Sequence, residues 1–146
     1  MIDRDVITAR LGKIREALAL LREVLEVPQE EYTGNAYNYL RGERLVEVIA
    51  QSMIDIGAHI VSALGLGKPG NFGELADILV REKIVRPELE SPLHGIFALR
   101  NILVRDYLVL DRARFYQEVK HGLGDIEAFC RDIAILLEVR KESGNH

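Results

Sequence analysis

Apolar residues recur at helical spacing along most of this chain, and this periodicity limits the fold more than any other feature. In the first segment they follow spacings of three and four, which places them on one stripe of an α-helix: Ile7, Leu11, Ile14, Leu18, Leu21 and Leu25. Asp3 or Asp5 is a suitable N-cap for this helix, and Pro28 ends it. No segment sustains the alternation of apolar and polar residues that is typical of a half-buried strand.

A second helix is predicted from about Tyr39 to Leu64, and the turn-prone stretch GLGKPGN follows it. The polar residues 28–39 before it are predicted to be a loop or the irregular start of this helix. Gly57 lies inside the helix, where glycine costs about 1 kcal/mol relative to alanine. A glycine at such a position predicts the close approach of another helix.

Three more helices follow, each with a recognisable start. Asn71 is a suitable cap for the third helix, and Pro87 and Pro92 flank the start of the fourth. Asp111 is a suitable cap for the last, in which glycines 122 and 124 could introduce a kink. We therefore expect an all-α, up-and-down bundle of about five helices.

Length, charge and cysteine content predict a cytoplasmic protein of one domain. The 146 residues fit a single domain spanning residues 1–146, with a frayed tail at 141–146. Cys130 is the only cysteine, which excludes an internal disulfide, and its apolar helical stripe predicts a buried side chain. The charged N-terminus and the absence of a long apolar run predict no membrane association. The net charge of -4 argues against a protein that coats nucleic acid with its whole surface, but it allows a local basic patch.

Neither a metal nor a cofactor is expected. Asp55 and His59 are four residues apart on one helix face, where they could hold a metal, orient a proton-transfer group, or form a polar pair beside the core. The polar pair is favoured because no second histidine or cysteine stands nearby at ligand spacing. The glycines and lysine of GLGKPG lack the spacing of a phosphate-binding loop.

The stretch RNILVRDY, residues 100–107, is the strongest candidate for a site. On a continuous helix Arg100 and Arg105 would point about 140° apart, so they converge only if the helix stops or bends near Val104. Arginines outnumber acids around this position: Arg100, Arg105, Arg112 and Arg114 against Asp106 and Asp111. Residue chemistry alone leaves two interpretations open, a basic binding site or arginines that extend from a helix and pair with acids.

This segment resembles the signature of HepT-type HEPN-domain proteins, the toxin half of a pair with a minimal nucleotidyltransferase. The family pattern is arginine, four residues, histidine, one residue and tyrosine, usually with an Arg-Asn start and a following apolar stretch with aspartate. The matching positions here are Arg100, Asn101, Arg105, Asp106 and Tyr107, followed by LVLD. The similarity extends over nearly the full chain. ERLVEVIAQSMIDIGAHIVSALGLGKPGNFGELADILVREKIV is similar to the family's second and third helices, and VLDRARFYQEVKHGLGDIEAF to its closing helix.

The resemblance implies a HEPN bundle that pairs as a homodimer, with the motifs of both subunits facing one cleft. It further implies a type VII toxin–antitoxin module and metal-independent cleavage of RNA, in which a 2′-hydroxyl attacks the neighbouring phosphate. Arg100, Arg105 and Tyr107 would be the catalytic positions, and Asn101 and Asp106 would contribute to substrate binding. Arg100 suits a phosphate because its planar guanidinium donates two parallel hydrogen bonds. Tyr107 is also implied as the residue that the nucleotidyltransferase antitoxin modifies with AMP.

One departure from the family pattern bears on activity: Arg105 occupies the histidine position. A guanidinium stays protonated at physiological pH, so Arg105 can bind phosphate but cannot act as a base. A base role for Tyr107 would need a pKa far below its ordinary value near 10 and is not expected. Cleavage is therefore predicted to be impaired, whether Arg105 is natural or a deliberate substitution.

Three functional hypotheses follow. The first is a HepT-like ribonuclease toxin with impaired cleavage. The second is a non-catalytic HEPN module that binds RNA, a nucleotide or its nucleotidyltransferase partner. The third is a structural dimer without a nucleic-acid role.

Overall fold

The computed structural model describes residues 1–105 and 110–144, and within these ranges it consists of helices and connecting turns without a strand. The helices, in chain order, are α1 (Arg4–Leu25), α2 (Gln29–Gly34), α3 (Ala36–Ala63), α4 (Phe72–Arg81), a 3-10 turn (Pro87–Leu89), α5 (Glu90–Val104) and α6 (Arg112–Gly144). The predicted all-α class is confirmed. The predicted single-domain organisation and the fraying of residues 141–146 stay predictions.

The five long helices occupy the predicted segments, but the chain between the first two is more ordered than predicted. Residues 29–34 form the short helix α2, and Asn35 then caps α3 by accepting a 2.9 Å hydrogen bond from the backbone N–H of Tyr37. α3 therefore begins at Ala36, three residues before the predicted start. α6 runs without interruption through the two glycines at 122 and 124.

The predicted N-caps are confirmed. The Asp3 carboxylate accepts hydrogen bonds from the backbone N–H groups of Asp5 and Val6 at 3.1 and 3.3 Å. The side chains of Asn71 and Asp111 accept from the N–H groups three residues later, at 2.8 and 3.1 Å. Each such cap contributes about 1 kcal/mol, because it satisfies a donor that the helix leaves unpaired.

α3 is the central helix, with α1, α4 and α5 packed around it, while α6 lies against α1 and α2. The whole predicted stripe of α1 is buried, as are Ile49, Met53, Ile56 and Ile60 of α3. By length and composition α3 could cross a membrane, which corrects the expectation that no segment of the chain reaches that length. More than half of its apolar window is buried inside the bundle, as in the core helix of a soluble protein.

A half-buried ion pair fixes the entry to α5. The carboxylate of Asp132 on α6 accepts hydrogen bonds from the backbone N–H, Nε and Nη2 of Arg86, at 2.9, 3.0 and 2.8 Å. Burial alone would raise the pKa of Asp132, but the hydrogen bonds and charge of Arg86 outweigh it and lower this pKa. The 3-10 turn and the start of α5 are thereby attached to the middle of α6.

The predicted close approach at Gly57 is also confirmed. A Cβ atom at this position would lie 2.9 Å from Cδ1 of Leu79 and 3.5 Å from Cδ2 of Leu75, both on α4. Leu79 is fully buried and cannot move aside freely. The glycine therefore sets the distance between α3 and α4.

Gly57→Ala is expected to lower the free energy of unfolding by about 1 kcal/mol or more, because overpacking outweighs the gain in helix propensity. Gly12→Ala is the matched control, since nothing lies within 4 Å of a Cβ at this exposed position of α1. It should stabilise the protein by roughly 0.5–1 kcal/mol. Urea denaturation of both variants measures the difference, and an equal gain for both would contradict the proposed contact.

Candidate functional site

The helix that carries the arginine motif ends where the sequence predicted a break. α5 stops at Val104, and Arg105 is its C-cap, with its backbone N–H 3.3 Å from the carbonyl oxygen of Asn101. Asp106 and Tyr107 lie outside the described residues, so their predicted roles stay predictions. The chain is described again from Leu110, and Asp111 caps α6.

The guanidinium of Arg100 is held from three directions. Its Nε donates a 2.7 Å hydrogen bond to Oε1 of Gln51, and its Nη1 donates a 3.1 Å hydrogen bond to Oδ1 of Asn101. Its central carbon lies 5.4 Å from the centre of the Phe72 ring, a cation–π distance. Among the residues that the structure describes, Nη2 has no hydrogen-bond acceptor. The arrangement thus fixes a planar cation and leaves one edge available for an anion.

Asn101 and Arg105 complete the described part of the motif. Asn101 was predicted to bind substrate, and its side chain is here engaged with Arg100. Arg105 is exposed at the C-terminal end of α5, where the helix dipole favours a positive charge. Structural stabilisation alone could therefore account for a cation at position 105, beside any role in binding.

The other two arginines near the motif, Arg112 and Arg114, pair with acids. Nε of Arg112 lies 3.7 Å from Oε2 of Glu43, and its guanidinium covers the Tyr39 ring at 3.9 Å from the ring centre. Arg114 forms a 2.7 Å ion pair with Glu118 on the surface of α6. Arg100 differs from both because its partners are neutral amides and an aromatic ring.

A polar ridge on α3 supplies contacts that the sequence analysis missed. It consists of Glu43, Glu47, Gln51 and Asp55, spaced four residues apart. The first pairs with Arg112 of α6, the second with Arg44 of its own helix, the third with Arg100 of α5 and the fourth with Arg10 of α1. The four-residue spacing is visible in the sequence, but three of the four partners come from distant segments.

The predicted Asp55–His59 pair is divided between two sets of partners. Asp55 accepts a 2.8 Å hydrogen bond from Nε2 of Gln51 and lies 3.7 Å from Nη1 of Arg10. Nε2 of His59 accepts a 2.9 Å hydrogen bond from the backbone N–H of Asp3, at the start of α1. Both side chains are thus satisfied polar groups beside the core, but through other partners and not as the Asp55–His59 pair that the sequence favoured.

Two further sets of reactive side chains lie outside the motif. Asp77, Glu90 and His94 place one ligand atom each within 4.8 Å of one another between α4 and α5, a geometry that could accommodate a cation. Both carboxylates are exposed, and the 2.7 Å hydrogen bond between Asp77 and His94 already explains the arrangement. Cys130 is buried as predicted, and burial raises the pKa of its thiol, so it is a poor nucleophile.

An apolar groove of about 500 Å³ lies between α3, α5 and α6. Its walls include Ile49 of α3, Leu99 and Ile102 of α5, and Phe115 and Val119 of α6. Ile102 is 37% exposed, whereas the other four wall residues named here are buried or half-buried. The groove therefore adjoins the helix that carries the arginine motif.

Residues 14–133 match the family model described as Ribonuclease HepT-like. The chain belongs to the ribonuclease HepT-like family. This match spans most of the chain and confirms the resemblance found in the sequence. It also assigns the arginine motif at the end of α5 to a HepT-like scaffold.

Two curated HepT-like relatives cover nearly the same length. The tRNA nuclease HepT of Aphanizomenon flos-aquae (strain 2012/KM1/D3) is 29% identical over 143 residues, which is 97% of each chain. The mRNA nuclease HepT of Shewanella oneidensis is 26% identical over 128 residues, covering 86% of this chain and 93% of that protein.

Solved structures confirm the HEPN-type fold. The cytosolic protein YutE of Bacillus subtilis superposes with a TM-score of 0.85 at 25% identity, covering 95% of this chain and 93% of that one. A tri-AMPylated Shewanella oneidensis HEPN toxin, solved in complex with its MNT antitoxin, superposes with a TM-score of 0.83 at 22% identity. That comparison covers 91% of this chain and 99% of the toxin.

Proposed function

We propose that this protein is the HepT-like toxin of a toxin–antitoxin module, with an RNA-binding site around Arg100 and impaired cleavage. The observation that carries the proposal is the anchored guanidinium of Arg100, in a family whose curated relatives are named as tRNA and mRNA nucleases. We propose that residues 1–146 form one domain that acts as a unit. A cytoplasmic location is supported by the B. subtilis homologue, which is described as cytosolic.

The proposed reaction explains which step is impaired. In metal-independent cleavage a 2′-hydroxyl attacks the adjacent phosphate, a base removes its proton, an acid protonates the leaving oxygen, and a cation stabilises the phosphate charge. Arg100 can supply the cation. Arg105 can add a second positive charge, but its guanidinium stays protonated and cannot accept the proton. Phosphate binding is thus retained while proton transfer is lost.

Arg105→His is expected to raise RNA cleavage about 100-fold or more, the usual range for a general base. Adding Arg100→Ala to this variant should remove the gained activity, because the phosphate charge is then no longer stabilised. Gel analysis of RNA incubated with EDTA measures both effects. Arg114→His is the matched control, since Arg114 is an exposed arginine paired with Glu118. No gain from Arg105→His, or an equal gain from the control, would argue against the proposed role.

A specific observation favours a second candidate, the non-catalytic HEPN module. Arg105 stands at the C-terminal end of α5, where the helix dipole favours a positive charge, and a guanidinium has no acceptor for a proton. Such a module would hold RNA, a nucleotide or a nucleotidyltransferase partner without turnover. The two candidates differ in the fate of bound RNA, because only the first yields cleavage when the histidine is present.

We also propose that the protein is a homodimer that buries the apolar groove between α3, α5 and α6. The groove is apolar and open, and it lies beside the helix that carries Arg100 and Arg105. A second copy placed there would bring another pair of these arginines to the same region. Two subunits would then present four guanidinium groups to one RNA backbone.

Ile102→Asp is expected to convert the dimer to a monomer, because it places a charge in the apolar groove. Val6→Asp is the matched control, since Val6 is an apolar side chain on α1, 43% exposed and outside the groove. Size-exclusion chromatography with light scattering measures the mass of each variant. A dimer that survives Ile102→Asp would place the interface elsewhere.

We further propose that a minimal nucleotidyltransferase antitoxin transfers AMP to Tyr107. Support comes from the Shewanella oneidensis toxin, whose structure is described as tri-AMPylated and in complex with an MNT antitoxin. Bulky anionic AMP groups next to Arg100 and Arg105 would occupy the cationic site and repel RNA.

Co-expression with such an antitoxin is expected to add mass to the protein in increments of one AMP. The first AMP is attached to the tyrosine hydroxyl, and each further AMP extends the one before it. Intact-mass spectrometry and peptide mapping locate the adduct. Tyr107→Phe should carry none, while the exposed Tyr37 serves as an internal control that stays unmodified. Adducts on Tyr37, or an unmodified Tyr107, would refute the assignment.

A further inference from the structure

Arg100 is the end of a chain of side-chain contacts that spans three helices. Its Nε donates to Oε1 of Gln51 at 2.7 Å, and Nε2 of Gln51 donates to Oδ1 of Asp55 at 2.8 Å. Oδ2 of Asp55 then lies 3.7 Å from Nη1 of Arg10 on α1. Gln51 and Asp55 are one turn apart on α3, so the helix itself keeps them in register.

Hydrogen-bond chemistry allows only one orientation of the Gln51 amide in this chain. Nε of arginine can only donate, so Gln51 must present its oxygen to Arg100. An ionised carboxylate can only accept, so Gln51 must present its NH₂ group to Asp55. Asp55 therefore excludes the flipped amide, which would direct the NH₂ group at the guanidinium and repel it.

The ion pair of Asp55 with Arg10 contributes less to the chain of contacts than the hydrogen bond between Asp55 and Gln51. The side chain of Arg10 is 50% exposed and that of Asp55 35%, and their separation exceeds a hydrogen-bond distance. Exposed ion pairs of this kind are weak and are screened by salt. The acceptor oxygen of Asp55, rather than its charge pair, thus determines the amide orientation.

We infer that Gln51, oriented by Asp55, is a positioning residue that directs Arg100 toward a bound phosphate. This inference rests on the proposed RNA-binding function. Gln51 occupies Nε, Asn101 occupies Nη1 and Phe72 covers one face, so the described contacts leave the Nη2 edge of the guanidinium for the ligand. A guanidinium fixed before binding loses less rotamer freedom when the phosphate arrives.

The first test reports on Arg100 without any RNA. Hydrogen exchange of arginine Nε–H groups in ¹⁵N-labelled protein should show a protected signal, assigned to Arg100 by its loss in Arg100→Lys. Gln51→Met should remove the protection because it deletes the acceptor, and Asp55→Leu should reduce it because the amide loses its second anchor. Asp55→Asn should keep it, since an asparagine oxygen still accepts from Nε2 of Gln51. An unprotected Nε–H in the parent protein, or one indifferent to Gln51→Met, would overturn the inference.

The second test measures the coupling between Gln51 and Arg100 in RNA binding. Fluorescence anisotropy with a labelled single-stranded RNA at low salt gives the Kd of the parent, Gln51→Met, Arg100→Ala and the double variant. Gln51→Met is expected to weaken binding roughly 3- to 10-fold alone and to have no further effect in the Arg100→Ala background. Gln117→Met is the matched control, because Gln117 is an exposed glutamine bonded to Gln29 and should bind RNA like the parent.

The outcomes separate this inference from the proposed function. If Gln51→Met weakens RNA binding equally in the parent and in the Arg100→Ala background, Gln51 has a general structural role. That result would overturn the inference but leave the proposed RNA binding intact. If Arg100→Ala leaves RNA binding unchanged although its Nε–H is protected, the proposed function fails. The chain of contacts would then serve the fold alone, and the positioning role would be rejected with it.

Discussion

The packing of α3 among its neighbours is the constraint on which both the fold and the site depend. α1, α4 and α5 cover this helix, so its polar side chains must find partners within the bundle or at its edges. The ridge from Glu43 to Asp55 meets this requirement by bonding to arginines, one of them on its own helix and the others on three neighbouring helices. Arg100 is held in place by the same contacts that satisfy α3.

This dependence predicts that the site is sensitive to positions remote from the motif. α5 is positioned at its start by the contact between Arg86 and Asp132, and along its length by packing on α3 and α4. Gly57 sets the distance between α3 and α4, and Phe72, the first residue of α4, lies against the guanidinium of Arg100. A change in the α3–α4 distance would therefore move the ring against which Arg100 stacks.

Much of the fold could be predicted from the sequence because it depends on local signals. Helical periodicity placed the long helices, Asp3, Asn71 and Asp111 were identified as caps, and the break at Val104 followed from the residues after it. α2 escaped prediction because its six residues are too few to show periodicity.

The contacts between helices were harder to predict from the sequence, because they join residues far apart in the chain. The bond between Gln51 and Arg100 spans 49 positions, and the cluster of Asp77 and His94 spans 17. The motif itself was recognisable because it is contiguous. Its two final members, Asp106 and Tyr107, lie outside the described residues, so their place beside Arg100 still rests on the family resemblance.

In the proposed function, the arginine at position 105 would change how the site responds to pH as well as what it can catalyse. A histidine at a helix C-terminus gains a favourable interaction only when protonated, so its contribution to phosphate binding would fade as pH rises through neutrality. A guanidinium keeps its charge throughout this range. The site described here therefore combines a positioned cation at Arg100 with a permanent one at Arg105. In the proposed function, such a pair would suit retention of a phosphodiester better than the proton transfers that would cleave it.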